Sequence, residues 1–529
     1  MKLSEINAGS FDPQIWKDKG YQLPQFDVAA VREKTFREPT WLHFGAGNIF
    51  RAFPAAVLQK ALDAGQYDRG VIVAEGFDYE IIDKAYRPYD NLSLLVLLKS
   101  DSSIEKRVVA SVTESLKADF QFGADWQRLE TVFRAPSLQM VSFTITEKGY
   151  SVAPADLERG LQPVLMMGKL AALLYQRYLA GAYPLTVQSM DNCSHNGDKV
   201  REGVLAYAVR WAQEGLTEQG FVEYLQNKSL VSFPWSMIDK ITPRPDAQVQ
   251  EMLRADGFLD NETIITSRNT YTAPFVNAEE TEYLVIERDF PNGCPPLDLG
   301  GVMFAERQTV DNVERMKVCT CLNPLHTALA IYGCLLDYTL ISAEMKDEDL
   351  RGLVTKMGYR EAMPVVVDPG VLKPEDFIGA VLTKRLPNPF MPDAPQRIAT
   401  DTSQKLPIRF GETIKAYHKQ GLNKDALILI PLVLAGYARY LTGIDDNGKA
   451  FLPSPDPLLE ELQQIVAGLK VTEDTQDLSC LKQLYSRADV FGVDLYEAGL
   501  GERIEAMAAE LFAGPGAVRR TLHKYVSQR

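Results

Sequence analysis

Six cysteines in 529 residues, at positions 193, 294, 319, 321, 334 and 480, are too few and too scattered to make a disulfide framework. They read as reduced thiols of a cytoplasmic protein. Histidine is scarcer still, at 43, 195, 326, 418 and 523. Cys319-x-Cys321 with His326 supplies one ligand pair and a third group, whereas structural zinc sites take two pairs, so no metal is expected. Positive charge is also short. Lys and Arg number 56 against 70 Asp and Glu, and the net charge of −14 with no dense basic cluster excludes a nucleic-acid partner. Long apolar runs are missing: MKLSEINAGSFDPQIW has no apolar signal core, and the longest run, near Ala426 to Leu434, is interrupted by Pro431 and too short to span a bilayer, so no membrane partner is expected. There is no internal repeat and no low-complexity tract. What remains is ordinary globular material, 46% apolar and 24% charged, enough for two or three large domains.

The most informative segment is Thr40-Trp-Leu-His-Phe-Gly-Ala-Gly-Asn-Ile-Phe-Arg-Ala-Phe-Pro54. A short strand, Trp41 to Phe44, ends at Gly45-Ala-Gly47. A helical pattern follows, with Phe50, Phe53, Val57, Leu58, Ala61 and Leu62 apolar and Gly65 as a stop. Strand, glycine turn and helix open a dinucleotide-binding fold: glycine lets the chain approach a pyrophosphate, and the free amides at the helix start hold its charge. Gly45, Gly47, Asn48 and Ile49 are the candidate cofactor-binding residues. Phe50 stands where the third glycine of G-x-G-x-x-G belongs, so the motif is incomplete.

The N-terminal half alternates strands and helices. Val71 to Glu75, Leu138 to Ile145 and Pro184 to Met190 read as further strands, and Ser93 to Leu98 with Val108 to Val112 as a hairpin through Asp101-Ser-Ser. An amphipathic stretch runs from Leu157 to Leu179 and a helix from Asp198 to Glu214. Each candidate parallel strand ends in polar residues: Gly45-Ala-Gly-Asn48, Glu75-Gly-Phe-Asp78, Thr146-Glu-Lys-Gly149 and Asp191-Asn-Cys-Ser-His-Asn-Gly197. Open parallel sheets bind ligands beyond their strand C-termini, so these four loops are expected to share one site. The Pro/Gly-rich Asp289-Phe-Pro-Asn-Gly-Cys-Pro-Pro296 marks a boundary, beyond which helical spacing covers 324–336, 424–441, 457–469, 503–512 and 517–527. The expected organisation is an N-terminal extension (1–35), an α/β dinucleotide-binding domain (36–297) and a mainly α-helical substrate-binding domain (298–529), with the active site in the cleft between the last two.

Glu314-Arg-Met-Lys317-Val-Cys-Thr-Cys-Leu-Asn323-Pro-Leu-His326 is the second strong signal. Reduction of a ketone needs a proton donor at the carbonyl oxygen and neutral donors to hold that oxygen as it becomes an alkoxide. A lysine in suitable surroundings serves as the acid or base, and asparagine amides serve as the donors. The same residues also suit a plain helix start, with Asn323 as cap and Pro324 at the first position.

Five motifs in order, Gly45-x-Gly-Asn-Ile-Phe-Arg51, Thr144-Ile-Thr-Glu-Lys-Gly-Tyr150, Ser189-Met-Asp-Asn192 with Asn196-Gly197, Ser236-Met-Ile-Asp-Lys-Ile-Thr-Pro243 and Glu314-x-x-Lys317 with Asn323-x-x-His326, resemble the mannitol dehydrogenase family of long-chain polyol dehydrogenases, which includes fructuronate and tagaturonate reductases. The resemblance covers roughly Thr40 to Lys405. It implies a metal-free, NAD(P)-dependent enzyme with a Rossmann-type N-terminal domain and a helical C-terminal domain. It further implies Lys317 as general acid/base, Asn192 and Asn323 as holders of the reacting oxygen, and Glu314 as a carboxylate that passes protons between the lysine and solvent. His326, Arg385 and Lys405 resemble substrate-binding residues. Two departures stand out. Five residues separate Lys317 from Asn323 where the family has four, which turns the lysine by about 100° on an ideal helix unless a π-bulge or loop absorbs it. Phe50 and Phe53 stand where family members commonly carry histidines.

Glu75 or Asp78, after the second strand, could accept the adenosine ribose hydroxyls and repel a 2′-phosphate, which favours NAD over NADP. Arg385, Lys148, Arg397 and Lys405 could meet a substrate carboxylate, and the Thr-Glu-Lys-Gly-Tyr form of the third-strand loop resembles fructuronate reductases. A small sugar acid, in a fructuronate/mannonate conversion, is the expected substrate. The alternatives are a mannitol/polyol 2-dehydrogenase acting on fructose, a non-catalytic NAD-binding relative, or an epimerase that keeps its NAD.

Overall fold

The computed structural model describes residues 1–7 and 11–528. They form two compact units, one running to Asp311 without Ser100–Ser102 and the other comprising Ser100–Ser102 and the chain from Asn312 onward.

The first unit is built on six parallel strands: β1 (Trp41–Phe44), β2 (Val71–Glu75), β3 (Val112–Lys117), β4 (Met140–Phe143), β5 (Leu185–Ser189) and β6 (Val231–Ser232). Their order across the sheet is 3-2-1-4-5-6, the doubly wound dinucleotide-binding topology, in which the order reverses between β1 and β4. Alternate residues of each strand feed opposite cores. Leu42, Phe44, Ile72, Val141, Phe143 and Val187 pack beneath α3 (Gly123–Arg134), α4 (Met166–Leu179) and α5 (Asn196–Gln213). Trp41, Val71, Val73 and Met140 join the core of Phe53, Val57 and Leu58 around α1 (Asn48–Ala52) and α2 (Pro54–Asp63). Burial on both faces explains why these strands read as continuous apolar runs.

The described residues before Phe36 contribute to this unit: Leu3 is fully buried, and Tyr21–Gln22 pairs with Ile104–Val109. The hairpin through Asp101 is present, Ser93–Leu98 against Ile104–Val109. Val108 to Val112, read from sequence as one strand, is instead the junction of two. The chain leaves the hairpin at Val109 and enters the main sheet at Val112, and the corner is held by Gln59, which accepts the Ala110 amide (2.9 Å), and by Ser111, which donates to the Ala55 carbonyl (2.7 Å). The stretch from Leu157 is likewise broken. Asp156 accepts the amides of Val164 (2.8 Å) and Leu165 (3.1 Å), so α4 starts only at Met166.

The second unit is almost wholly helical. Its core contains α7 (Asn323–Leu335), α8 (Leu429–Leu441), α9 (Gly501–Leu511) and α10 (Ala517–Ser527); the connecting α6 is Arg307–Arg315. The helix expected from Lys424 begins at Leu429, because the Glu361 carboxylate takes the amides of Ile428, Leu429 and Ile430 (2.7–3.0 Å) and so caps α8. Among the described residues this unit carries four π-helical turns, Met316–Cys321, Met357–Ala362, Val381–Arg385 and Pro407–Gly411. Three of them hold Lys317, Arg385 and Arg409.

Candidate active site

In the first unit the site lies at the C-terminal ends of the strands. Gly45 has φ +106°, and a Cβ there would stand 2.2 Å from the Thr144 carbonyl oxygen, so the close approach of the chain just beyond β1 to that just beyond β4 requires glycine. A Cβ on Gly47 would meet nothing within 4 Å, which leaves open space over the first amides of α1. Those amides have no acceptor inside the helix, and a pyrophosphate fits that cradle. Arg51, fully buried, ties the helix start down: its guanidinium donates to the Asn48 side chain (2.8 Å), the Thr272 hydroxyl (2.7 Å) and the Ala273 carbonyl (2.6 Å). Beneath the turn, His43 sits between the Ser142 and Thr144 hydroxyls (2.6 and 2.8 Å) and stacks on Phe50 at 4.2 Å. Burial lowers its pKa to about 3, so the ring is neutral. Phe50, the break in the glycine motif, is the lid on this buried histidine.

Glu75 and Asp78, the carboxylates expected near the adenosine ribose, both have partners within the protein. The Glu75 carboxylate is buried and accepts the amides of Ala46 (2.8 Å), Phe77 (2.8 Å) and Asp78 (3.2 Å); Asp78 accepts the Thr266 hydroxyl at 2.6 Å. Burial raises the Glu75 pKa against the pull of those amides. The exposed groups at this end of β2 are Phe77 and, 4.3 Å over its ring, Arg268.

Beyond β4 and β5 a cavity of about 360 Å³ is lined by Ile49, Thr146, Glu147, Asp191, Asn192 and Asp239, among others. Two of the four predicted loops therefore contribute to one neighbourhood, joined by Ile49 in the first turn of α1. Asn196, buried, donates to the Asp191 and Ser236 carbonyls (3.0 and 3.1 Å) and accepts the Ser236 amide (3.0 Å), which fixes the β5 loop to the Ser236–Asp239 strand.

In the second unit Lys317 lies in the π turn Met316–Cys321, 5% exposed, and the Leu322 amide donates to the Lys317 carbonyl at 3.1 Å. That i,i+5 hydrogen bond closes the wide turn before α7 begins at Asn323, with Pro324 in the first turn. One turn on, the His326 ring stands 3.8 Å from the Asp393 carboxylate. Burial lowers the His326 pKa to about 4; the Asp393 charge opposes this, and the charges of Arg385, Arg409 and Arg397 add to it. A neutral histidine thus feels the charge of three guanidinium groups, of which Arg397 is ion-paired with Asp393. Arg385 is 2% exposed. Arg409 donates to the Thr327 hydroxyl on α7 at 2.5 Å, and burial lowers its pKa to about 10. Lys405 donates to the Ile398 carbonyl (3.1 Å) and to the Thr400 carbonyl, and burial lowers its pKa. Among the described residues no three His, Cys, Asp or Glu side chains come together as a metal-holding group.

Comparison with known proteins decides the family. The mannitol dehydrogenase Rossmann domain matches residues 39–298 and the mannitol dehydrogenase C-terminal domain residues 309–511. A D-mannonate oxidoreductase of Thermotoga maritima is 50% identical over 98% of both chains. The chain belongs to the mannitol dehydrogenase family. As a mannitol dehydrogenase family member it is a nicotinamide-dinucleotide-dependent dehydrogenase acting on a CH–OH group. A polyol:NADP oxidoreductase of Gluconobacter oxydans is 28% identical over 84% of this chain and 87% of its own. Among solved structures, the Pseudomonas fluorescens mannitol 2-dehydrogenase ternary complex with NAD and D-mannitol is 25% identical, with TM-score 0.68 and full coverage of both chains. A substrate-free D-sorbitol dehydrogenase shares the fold at TM-score 0.78 and 23% identity, covering 95% of this chain and 97% of that one.

Several site residues escaped the sequence reading of this mannitol dehydrogenase relative. Arg409 lies four residues after Lys405, a helical i,i+4 spacing that signals a shared face once both are known to be helical. Arg51 and Asn196 stand inside quoted motifs, yet their role as buried braces has no local signature. Arg268 comes from a loop 190 residues beyond Asp78, a pairing that no sequence spacing announces.

Proposed function

We propose that this protein is an NAD-dependent oxidoreductase that interconverts a ketouronate and an aldonate of the fructuronate/mannonate type. The observation that carries the reading is the 50% identity over 98% of both chains with a D-mannonate oxidoreductase. The buried guanidinium of Arg385 and the partly buried one of Arg409, both acting electrostatically on a neutral His326, support it, since a carboxylate substrate needs such donors and a neutral polyol does not.

When bound, the dinucleotide supplies the hydride. Gly45, Gly47, Asn48 and Ile49 hold its pyrophosphate end, with Glu75 bracing the turn from below. Lys317 delivers a proton from Nζ to the carbonyl oxygen as that oxygen gains negative charge, and in the reverse direction removes it. Asn192 and Asn323 donate side-chain N–H groups to the same oxygen. Glu314 passes the proton between Lys317 and solvent. His326, being neutral, can accept from or donate to a substrate hydroxyl, and Arg385 pairs with the carboxylate, assisted by Lys405. NAD is the proposed cofactor over NADP, because the carboxylates of Glu75, Asp78 and Glu80 stand near the end of β2 and disfavour a 2′-phosphate there. Parallel assays of NADH and NADPH oxidation with fructuronate, tagaturonate and fructose test the reading.

A further inference from the structure

Thr146 has φ 65° and ψ 163°, a backbone region that a β-branched residue enters only under constraint. The constraint is Asp191, on the neighbouring loop. Its Oδ1 accepts the Thr146 amide at 2.9 Å and its Oδ2 the Ile145 amide at 3.0 Å. Tyr150, the last residue of the same Thr-Glu-Lys-Gly-Tyr loop, donates its hydroxyl to Oδ2 and stands 2.6 Å from the Ser189 hydroxyl. The Asp191 carbonyl in turn accepts the Asn196 side chain at 3.0 Å. Both loops that follow β4 and β5 are therefore fastened to one residue, the β4 loop through its carboxylate and the β5 loop through its carbonyl. Thr146, Asp191 and Asn192 line the same cavity, and Asn192 is the residue next along the chain.

We infer that Asp191 is a positioning residue for the reaction: by holding Thr146 in its strained conformation it fixes the β4 loop against the β5 loop and sets where Asn192 presents its amide. This rests on the reading of Asn192 as a contact to the reacting oxygen. A carboxylate suits the task because all three groups facing it are donors. An asparagine in its place turns one N–H toward another, and the strain at Thr146 then pulls the loop away. Glycine adopts φ near +65° without strain, so at position 146 it removes the need for the clamp.

The test is a double-mutant cycle of Asp191→Asn and Thr146→Gly in the full chain, read as kcat and KM with the ketone that the wild type reduces fastest, and as the NADH dissociation constant. Asp191→Asn should lower kcat by roughly ten- to a hundredfold, with a smaller change in NADH affinity. In the Thr146→Gly background the same substitution should cost several-fold less. A residue that only stabilised the fold would give equal losses in both backgrounds. Equal losses, or wild-type kinetics for Asp191→Asn, would overturn the inference. If Asp191→Asn does not fold, Tyr150→Phe removes a single donor from the same carboxylate; it should slow turnover several-fold and be relieved by Thr146→Gly, and an additive or absent effect would overturn the inference equally. A wild-type protein inert toward every ketone would instead overturn the functional reading beneath it.

Discussion

The Glu75 carboxylate accepts the Ala46 amide at 2.8 Å, which fastens the end of β2 to the glycine turn after β1. The carboxylate therefore shapes the dinucleotide cradle from inside. Glu75→Gln should weaken NADH binding by about tenfold, the loss expected when one acceptor of a buried charged hydrogen-bond set becomes a donor. The ratio of NADH to NADPH affinity should stay within about twofold, because the carboxylate is taken up by three backbone amides. Fluorescence titration with both dinucleotides reads both quantities. A switch toward NADPH would mean that Glu75 faces the ribose after all.

Arg385 is a buried guanidinium close enough to His326 to depress its pKa. Arg385→Met should reduce kcat/KM for a ketouronate by about ten- to a hundredfold, the worth of a charge-assisted contact, and leave the low activity on fructose nearly unchanged. Steady-state kinetics on the two ketones checks this. Equal losses on both would make Arg385 a fold-stabilising group.

His43 and His326 are held neutral by burial, with pKa values lowered from 6.5 to about 3 and about 4. Below pH 6.5 the unfolded chain takes up protons that the folded chain refuses, so stability falls as the pH drops from about 6.5 toward 4, and above pH 7 neither group contributes. Thermal unfolding from pH 7 to 5 should show a falling Tm, and His326→Gln should fall less steeply than wild type. The pH–rate profile should show no limb from His326 near 6.5.

Lys317→Ala should abolish turnover by several orders of magnitude and leave NADH binding within about twofold, since Lys317 belongs to the second unit and the glycine turn to the first. Single-turnover NADH oxidation measures it. Unchanged turnover would move the acid/base role to another residue.

Much of the nucleotide domain was legible because its strands are buried on both faces and its loops follow one rule: polar residues gather at the C-terminal ends of parallel strands. The Gly45 turn and the Asn192 loop could be read in this way. The π turn at Met316–Cys321 was foreseeable only as the absorber of one extra residue between Lys317 and Asn323, since nothing in Met-Lys-Val-Cys-Thr-Cys distinguishes it from α-helix. The three amides that Glu75 accepts were not legible, because a carboxylate at the end of a strand carries no local sign of its backbone partners. Arg268 on Phe77 and Asp191 on Thr146 depend on contacts between separate loops, and local pattern carries no signal for these.

The most direct test is NADH oxidation by the full chain with fructuronate, tagaturonate and fructose in parallel, followed at the nicotinamide absorbance band. The account predicts rapid oxidation with fructuronate, much slower oxidation with fructose, and a preference for NADH over NADPH. Faster turnover of fructose, or NADH binding without turnover of any of the three ketones, would contradict it.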